Sequence, residues 1–237
     1  MAKSKIIKDL ANSTIDTLTA LKRTKVLLSE LQDDELLSWV NNEIVGYSDD
    51  APLPSYRQCS GMLKGSYFKG SFAAHMTYNN VSLPLGKMPE DIKELLLKIE
   101  FRDGIDSLKE LYESNKNQKG DLVKPVPADF YPMISKYNND PYMIITSANV
   151  SFSAESINNI FSVIENKLLD ILILLEKKFG SLDELDIDTS NLSTDQIKDI
   201  ASQIRVIVYN DNSITIGDGN KIKDTSISVT NDPLDSE

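Results

Sequence analysis

Apolar residues recur at helical spacing through much of this chain, and the places where that spacing fails divide it into elements. Lys5 to Leu10 starts a short helix that breaks near Asn12. Ser13, with Asp16 three residues on, gives a capping signal, and Ile15, Leu18, Leu21, Val26 and Leu28 carry a second helix to about Leu31. Asp33 or Asp34 can cap a third helix, in which Leu36, Leu37, Val40 and Ile44 share a face with Trp39, while Glu43 falls beside or opposite that stripe. Gly46 is where this helix stops, because glycine accepts the left-handed backbone of a C-terminal cap. Ser48, Asp49, Asp50, Pro52 and Pro54 then form a turn, and Tyr56 and Arg57 open an extended run.

From Tyr56 to Leu85 the period shortens towards two, with Gly61, Gly65 and Gly70 as bends and Asn79-Asn80 as the turn. Two or three short antiparallel strands are expected there. Pro89 opens a helix predicted to reach about Glu113, with Ile92, Leu95, Leu96, Ile99, Ile105, Leu108 and Leu111 on its apolar face and a kink at Gly104. A polar loop over 114–120 leads to an extended piece, Asp121 to Val126, and to a short helix, Asp129 to Lys136. Pro141 to Phe152 is β-branched and aromatic and reads as a strand. Ser153 caps a long helix that is apolar nearly all round, so it is expected to dominate the core.

Beyond Gly180 the texture changes. Residues 181–193 are acidic and short of large apolar side chains, and Ser193 to Ile204 reads as a small helix. The end alternates Ile214, Ile216, Ile222, Ile227 and Val229 with Asn, Asp, Gly and Ser, the pattern of short strands in a β-solenoid coil or small β-meander. The expected fold is therefore α+β: a helical N-terminal unit, short antiparallel strands and a long central C-terminal helix over 1–180, an acidic linker with a short helix over 181–203, and a small β-rich tail over 204–237. Two imperfect coils bury little alone, so the tail is expected to serve self-association or partner docking.

Charge sharpens the division. Of the net −11, residues 181–237 carry −8, with 4 Lys and Arg against 12 Asp and Glu, while 1–180 carry −3. Binding to a phosphate backbone needs a basic surface, and Lys22, Arg23 and Lys25 are too few to make one, so no DNA binding is expected. The single cysteine, Cys59, leaves no intrachain disulfide and suits a reducing compartment. The first residues lack the apolar stretch of a signal peptide, and Ile160 to Leu175 is interrupted by Glu165, Asn166, Lys167 and Asp170. A cytoplasmic protein without membrane contact is the expectation.

Candidate chemistry is sparse. His75 is the sole histidine, so any Ser-His-Asp triad must use it and the usual Cys/His zinc site cannot be assembled. Asp183, Glu184, Asp186 and Asp188 lack the glycine and terminal glutamate of a calcium loop, and Gly217 to Lys221 lacks the ending of a phosphate loop. No metal and no cofactor are expected. The polar residues that remain are Glu43, Arg57, Glu100 and Arg102, which would form a partly buried cluster if the turn brings them together. A structural salt bridge fixing helix against sheet is the preferred reading of that cluster. A small pocket acting on a phosphate-bearing or nucleotide-like ligand is the other.

Several separated pieces, in order, resemble the bacterial AbiTii abortive-infection proteins: WVNNEIVGY with LPSYR, PLGKMPEDI, EFRDGIDSLKEL, and SINNIFSVIENKLLDILILLEKK. Glu43, Tyr56, Arg57, Glu100, Arg102 and Asp103 lie in these pieces or at their margins. The resemblance implies a component of an antiphage system, acting as a non-enzymatic assembly, adaptor or effector module through protein contacts. Its alternative is a toxin enzyme acting on nucleotides or RNA through the Glu/Arg cluster. The implied partners are further copies of the chain or another protein of the same defence system.

Overall fold

The computed structural model describes residues 3–71, 73–117 and 121–209. Among these the chain combines α-helices with antiparallel sheets, none of them closed. The first three helices are α1 (Lys5–Ala11), α2 (Thr17–Ser29) and α3 (Asp34–Val45). Asp16, rather than Ser13, caps α2 by accepting from the Thr19 N–H, and Asp33 caps α3 by accepting from the Leu36 N–H. Ser13 instead adopts a positive φ of 53° in the turn.

A single 3-10 turn at Ser55–Arg57 takes up Tyr56 and Arg57, so the expected extended run begins at Gln58, with β1 (Gln58–Ser60), β2 (Met62–Ser71) and β3 (Ala74–Ser82). The β2–β3 hairpin turns next to Ala73. Asn79-Asn80, expected as that turn, lies inside β3 as a bulge where the register slips and Asn80 takes φ 46°. Asparagine tolerates the left-handed region, which suits both sites, so its presence alone does not separate them.

The predicted helix from Pro89 to Glu113 is three elements: α4 (Glu90–Leu97), β4 (Lys98–Glu100) and α5 (Ile105–Asn115). Its apolar spacing is real, but β4 pairs antiparallel with β1, Gln58 opposite Glu100 and Ser60 opposite Lys98. Gly104 does not kink a helix. Its absent side chain lets α5 start against α3, since a Cβ there would lie 2.4 Å from the Ile44 carbonyl oxygen.

β5 (Leu122–Pro125), α6 (Tyr131–Tyr137) and β6 (Met143–Phe152) follow, and the four-stranded sheet runs β3-β2-β6-β5. Leu63 faces Val150 in this ladder, and both are buried against the helices. The helix α7 (Glu155–Phe179) then carries Ile157, Ile160, Ile164, Leu168, Ile171, Leu172 and Leu175 into the core, with α1, α2, α5 and α8 packed on it. Burying each such side chain contributes about 1.5–3 kcal/mol before chain entropy is counted.

Residues 181–193 are irregular, yet Leu182 and Ile187 are buried in the same core, and the Leu182 N–H donates to Ser4 Oγ. Ser193 and Gln196 exchange two hydrogen bonds as a capping box for α8 (Thr194–Tyr209). The β-rich tail was expected from 204, but 204–209 continue α8, with Ile204 and Val208 buried. The remainder of that tail, 210–237, lies outside the described residues. Among the described residues no helix is long and apolar enough to cross a membrane.

Candidate functional site

Helix α3 presents Glu43 to the interior, and the chain reverses at Gly46 and again through the Ser55–Arg57 turn to bring Arg57 back beside it. Both side chains are fully buried. Arg57 donates from Nε and Nη2 to Glu43 Oε2 at 3.0 and 2.6 Å, and from Nη1 to the carbonyls of Phe101 at 2.9 Å and Asp103 at 2.7 Å. The other carboxylate oxygen, Oε1, accepts from the hydroxyls of Tyr47 and Tyr56, each at 2.6 Å. Tyr56 in turn accepts from Trp39 Nε1 at 3.0 Å.

Every polar atom of the pair is engaged. Glu43 uses both oxygens, and the Arg57 fork engages one carboxylate and two carbonyls, with its guanidinium over the Tyr47 ring at 5.1 Å. Burial, and after it the negative charge of Glu43, push both tyrosine hydroxyls well above their ordinary value of 10.0. Each tyrosine is thereby held as a donor.

Gly46 closes the same junction through the backbone. At φ 112° it bridges to Asp103, and a Cβ there would lie 2.8 Å from the Arg102 carbonyl oxygen. That carbonyl accepts from the Tyr47 N–H at 2.7 Å, while the Phe101 N–H donates to the Arg57 carbonyl at 2.9 Å. Helix α3, the β1–β4 pair and the entry to α5 are locked together here.

The sequence-derived set of four therefore splits. Glu43 and Arg57 meet, but Glu100 and Arg102 do not join them, because they lie on β4 and the loop after it rather than mid-helix. Arg102 Nε donates to Glu100 at 3.1 Å at the surface, and its Nη1 donates to the carbonyls of Ser48 at 2.7 Å and Ala51 at 3.2 Å. Lys98 and then Arg102 hold the Glu100 carboxyl below its ordinary range. Trp39 is a core residue that donates one hydrogen bond, and His75 is an exposed residue of β3 whose ring lies 5.0 Å from that of Phe68.

Two members escaped sequence reading. Tyr47 sits four residues after Glu43, past the glycine cap, and only the reversal at Gly46 aims it back. Lys167 is nearly buried on α7; its ammonium donates to the carbonyls of Ile207 and Val208 at 2.9 and 3.0 Å and lies 5.6 Å from the Tyr56 ring centre. The available signal was a lysine within the Ile164, Leu168, Ile171 stripe. It neutralises the C-terminal end of α8.

Two open hollows flank this region and the sheet. One of about 230 Å³ is bounded by Pro52, Pro54, Tyr56, Lys167 and Tyr209, and one of about 580 Å³ lies between α6 and the start of β6. Neither contains Glu43 or Arg57. Among the described residues, no group of His, Cys, Asp or Glu side chains comes together in a way that could hold a metal ion.

The model of the AbiTii family matches residues 4–200, which takes in every element from α1 into α8. This chain belongs to the AbiTii family. Membership gives it a role in bacterial abortive infection, and the matched span contains the whole Glu43–Arg57 junction and its tyrosines. Comparison with curated proteins found no match, and comparison with solved structures found none.

Proposed function

We propose that this AbiTii chain works in the bacterial cytoplasm as a non-enzymatic assembly or adaptor module of an abortive-infection system. It acts by contacts with further copies or with a second protein of that system, which carries out the toxic step. The observation that supports this most is the closure of the Glu43–Arg57 pair: both side chains have no exposed surface and every polar arm is taken by the protein. A carboxylate and an arginine so engaged stabilise a junction, and with no exposed surface they offer no face to a phosphate or a nucleobase. The residues beyond Tyr209, read from sequence as alternating and rich in Asn and Gly, serve as an appendage for association.

The test pairs a binding and a turnover measurement on the full chain. Affinity capture during phage infection is expected to recover more copies of the chain or a recurrent protein partner. Incubation of the purified chain with nucleoside triphosphates and with total RNA is expected to leave both intact. Turnover that is lost in Glu100→Gln or Arg102→Gln, with the fold preserved, would overturn the proposal and establish the toxin-enzyme alternative.

A further inference from the structure

We infer that the free edge of β3 is the surface on which two copies of this chain pair, forming a continuous eight-stranded antiparallel sheet. The inference rests on the assembly reading above and assigns self-pairing to this edge, leaving the residues beyond Tyr209 to dock a second protein.

The two edges of the sheet differ in kind. At one end β5 is short, contains Lys124 and Pro125, and runs into Pro127, so it presents a charge and lacks the amides that an added strand would need. At the other end β3 spans nine residues, is hydrogen-bonded among the described residues to β2 alone, and is mostly exposed. Between Lys69 and Lys87 no residue carries a formal charge, although 26% of the chain is charged. Natural sheets blunt exposed edges with charges and prolines, and β3 carries neither.

What is missing from β3 also selects its occupant. A partner recognised by charge would find nothing complementary on this edge, whereas a neutral antiparallel strand is self-complementary about a two-fold axis. In a chain of net charge −11, copies repel wherever their acidic surfaces approach, so a neutral strip is where they can meet at least cost. Among the described residues, only one edge of this four-stranded sheet is free of charge and proline, which also limits growth. Pairing through β3 leaves the two β5 edges at the ends of the joined sheet, and the assembly closes as a dimer instead of extending as a fibre.

Register follows from the bulge. The regular part of β3 is Ala74–Tyr78, because the ladder slips at Asn79 and Asn80. The axis then passes Met76, which is 63% exposed, and Ala74 of each copy faces Tyr78 of the other. The Tyr67 and Tyr78 rings stack at 4.6 Å on one face of the hairpin, and those of Phe68 and His75 lie 5.0 Å apart. A hairpin braced by these rings loses little freedom when it pairs.

The experiment is sedimentation and light scattering of the full chain over a concentration series, with Met76→Lys and Met76→Glu, each checked by circular dichroism. Wild type is expected to approach twice the monomer mass as concentration rises. Each variant alone sets like charges against each other at the axis and is expected to stay monomeric, while an equimolar mixture of the two recovers the dimer. Folded variants that both keep the wild-type mass would overturn the β3 interface and leave the assembly reading standing on another surface. Folded monomeric variants whose mixture fails to pair would overturn the two-fold register. A wild type that is monomeric throughout would overturn the interface and the self-association branch together, while partner capture would still test the adaptor branch separately.

Discussion

Arg57 and Arg102 both contact a glutamate and both donate to backbone carbonyls, yet the first is fully buried and the second is 26% exposed. Arg57 reaches across 14 positions in sequence to Glu43, whereas Arg102 reaches two to Glu100. A buried pair cannot lose one partner without stranding the other charge in the interior, while an exposed pair hands its glutamate back to water. Chemistry on paper is alike at the two sites, and solvent access makes their consequences different.

The contrast breaks most sharply at Arg57. Arg57→Ala strands Glu43 and two carbonyls, and is expected to lower the unfolding free energy by about 3–5 kcal/mol in denaturant melts. Glu43→Ala with Arg57→Ala is expected to cost less than the two single losses combined; simple additivity would mean that the pair is not coupled. Gly46→Ala attacks the same junction through the backbone, because φ 112° and the Arg102 carbonyl leave no room for a methyl. A loss of roughly 1–3 kcal/mol is expected, and an unchanged melt would show that the junction yields.

Arg102→Ala supplies the surface half of the comparison. Its expected loss is about 0–1 kcal/mol, declining further in high salt; a loss as large as that of Arg57→Ala would erase the distinction.

The subtlest effect is that of pH at a pair of intermediate exposure, Glu176 near the end of α7 with Lys3. The Lys3 ammonium, and with it the Ser4 N–H and hydroxyl, outweigh burial and hold this carboxyl down to about 2 from 4.5. A carboxyl whose folded value is depressed contributes stability in full above its unfolded value and loses it as pH falls. The expected result is a decline between pH 4.5 and about 2 that is shallower in Glu176→Gln. Identical acid limbs would remove Glu176 from the account.

Local signals explain which elements were legible. An aspartate cap at Asp33 or Asp34, the Gly46 stop and the apolar stripe of α7 depend on residues within one or two turns and are readable where they stand, and the structure selects Asp33. The stretch from Glu90 to Asn115 reads as one helix because Leu95, Leu96 and Ile99 keep helical spacing, while Lys98–Glu100 is drawn into a strand by β1, about forty residues away. Neither element can be inferred from its own residues. Pairing between short strands is settled by what lies alongside them.

The candidate site divides in the same way. The residue types, the family likeness and a candidate set of Glu43, Arg57, Glu100 and Arg102, with a structural bridge as its preferred reading, were legible in the chain itself. Only the tertiary structure decided that Glu100 and Arg102 stand apart at the surface, that Tyr47 and Tyr56 complete the carboxylate, and that Lys167 closes α8. The physical reason is that propensity and capping act over a few residues, whereas burial and desolvation depend on which distant segments converge, and those set the worth of a charge.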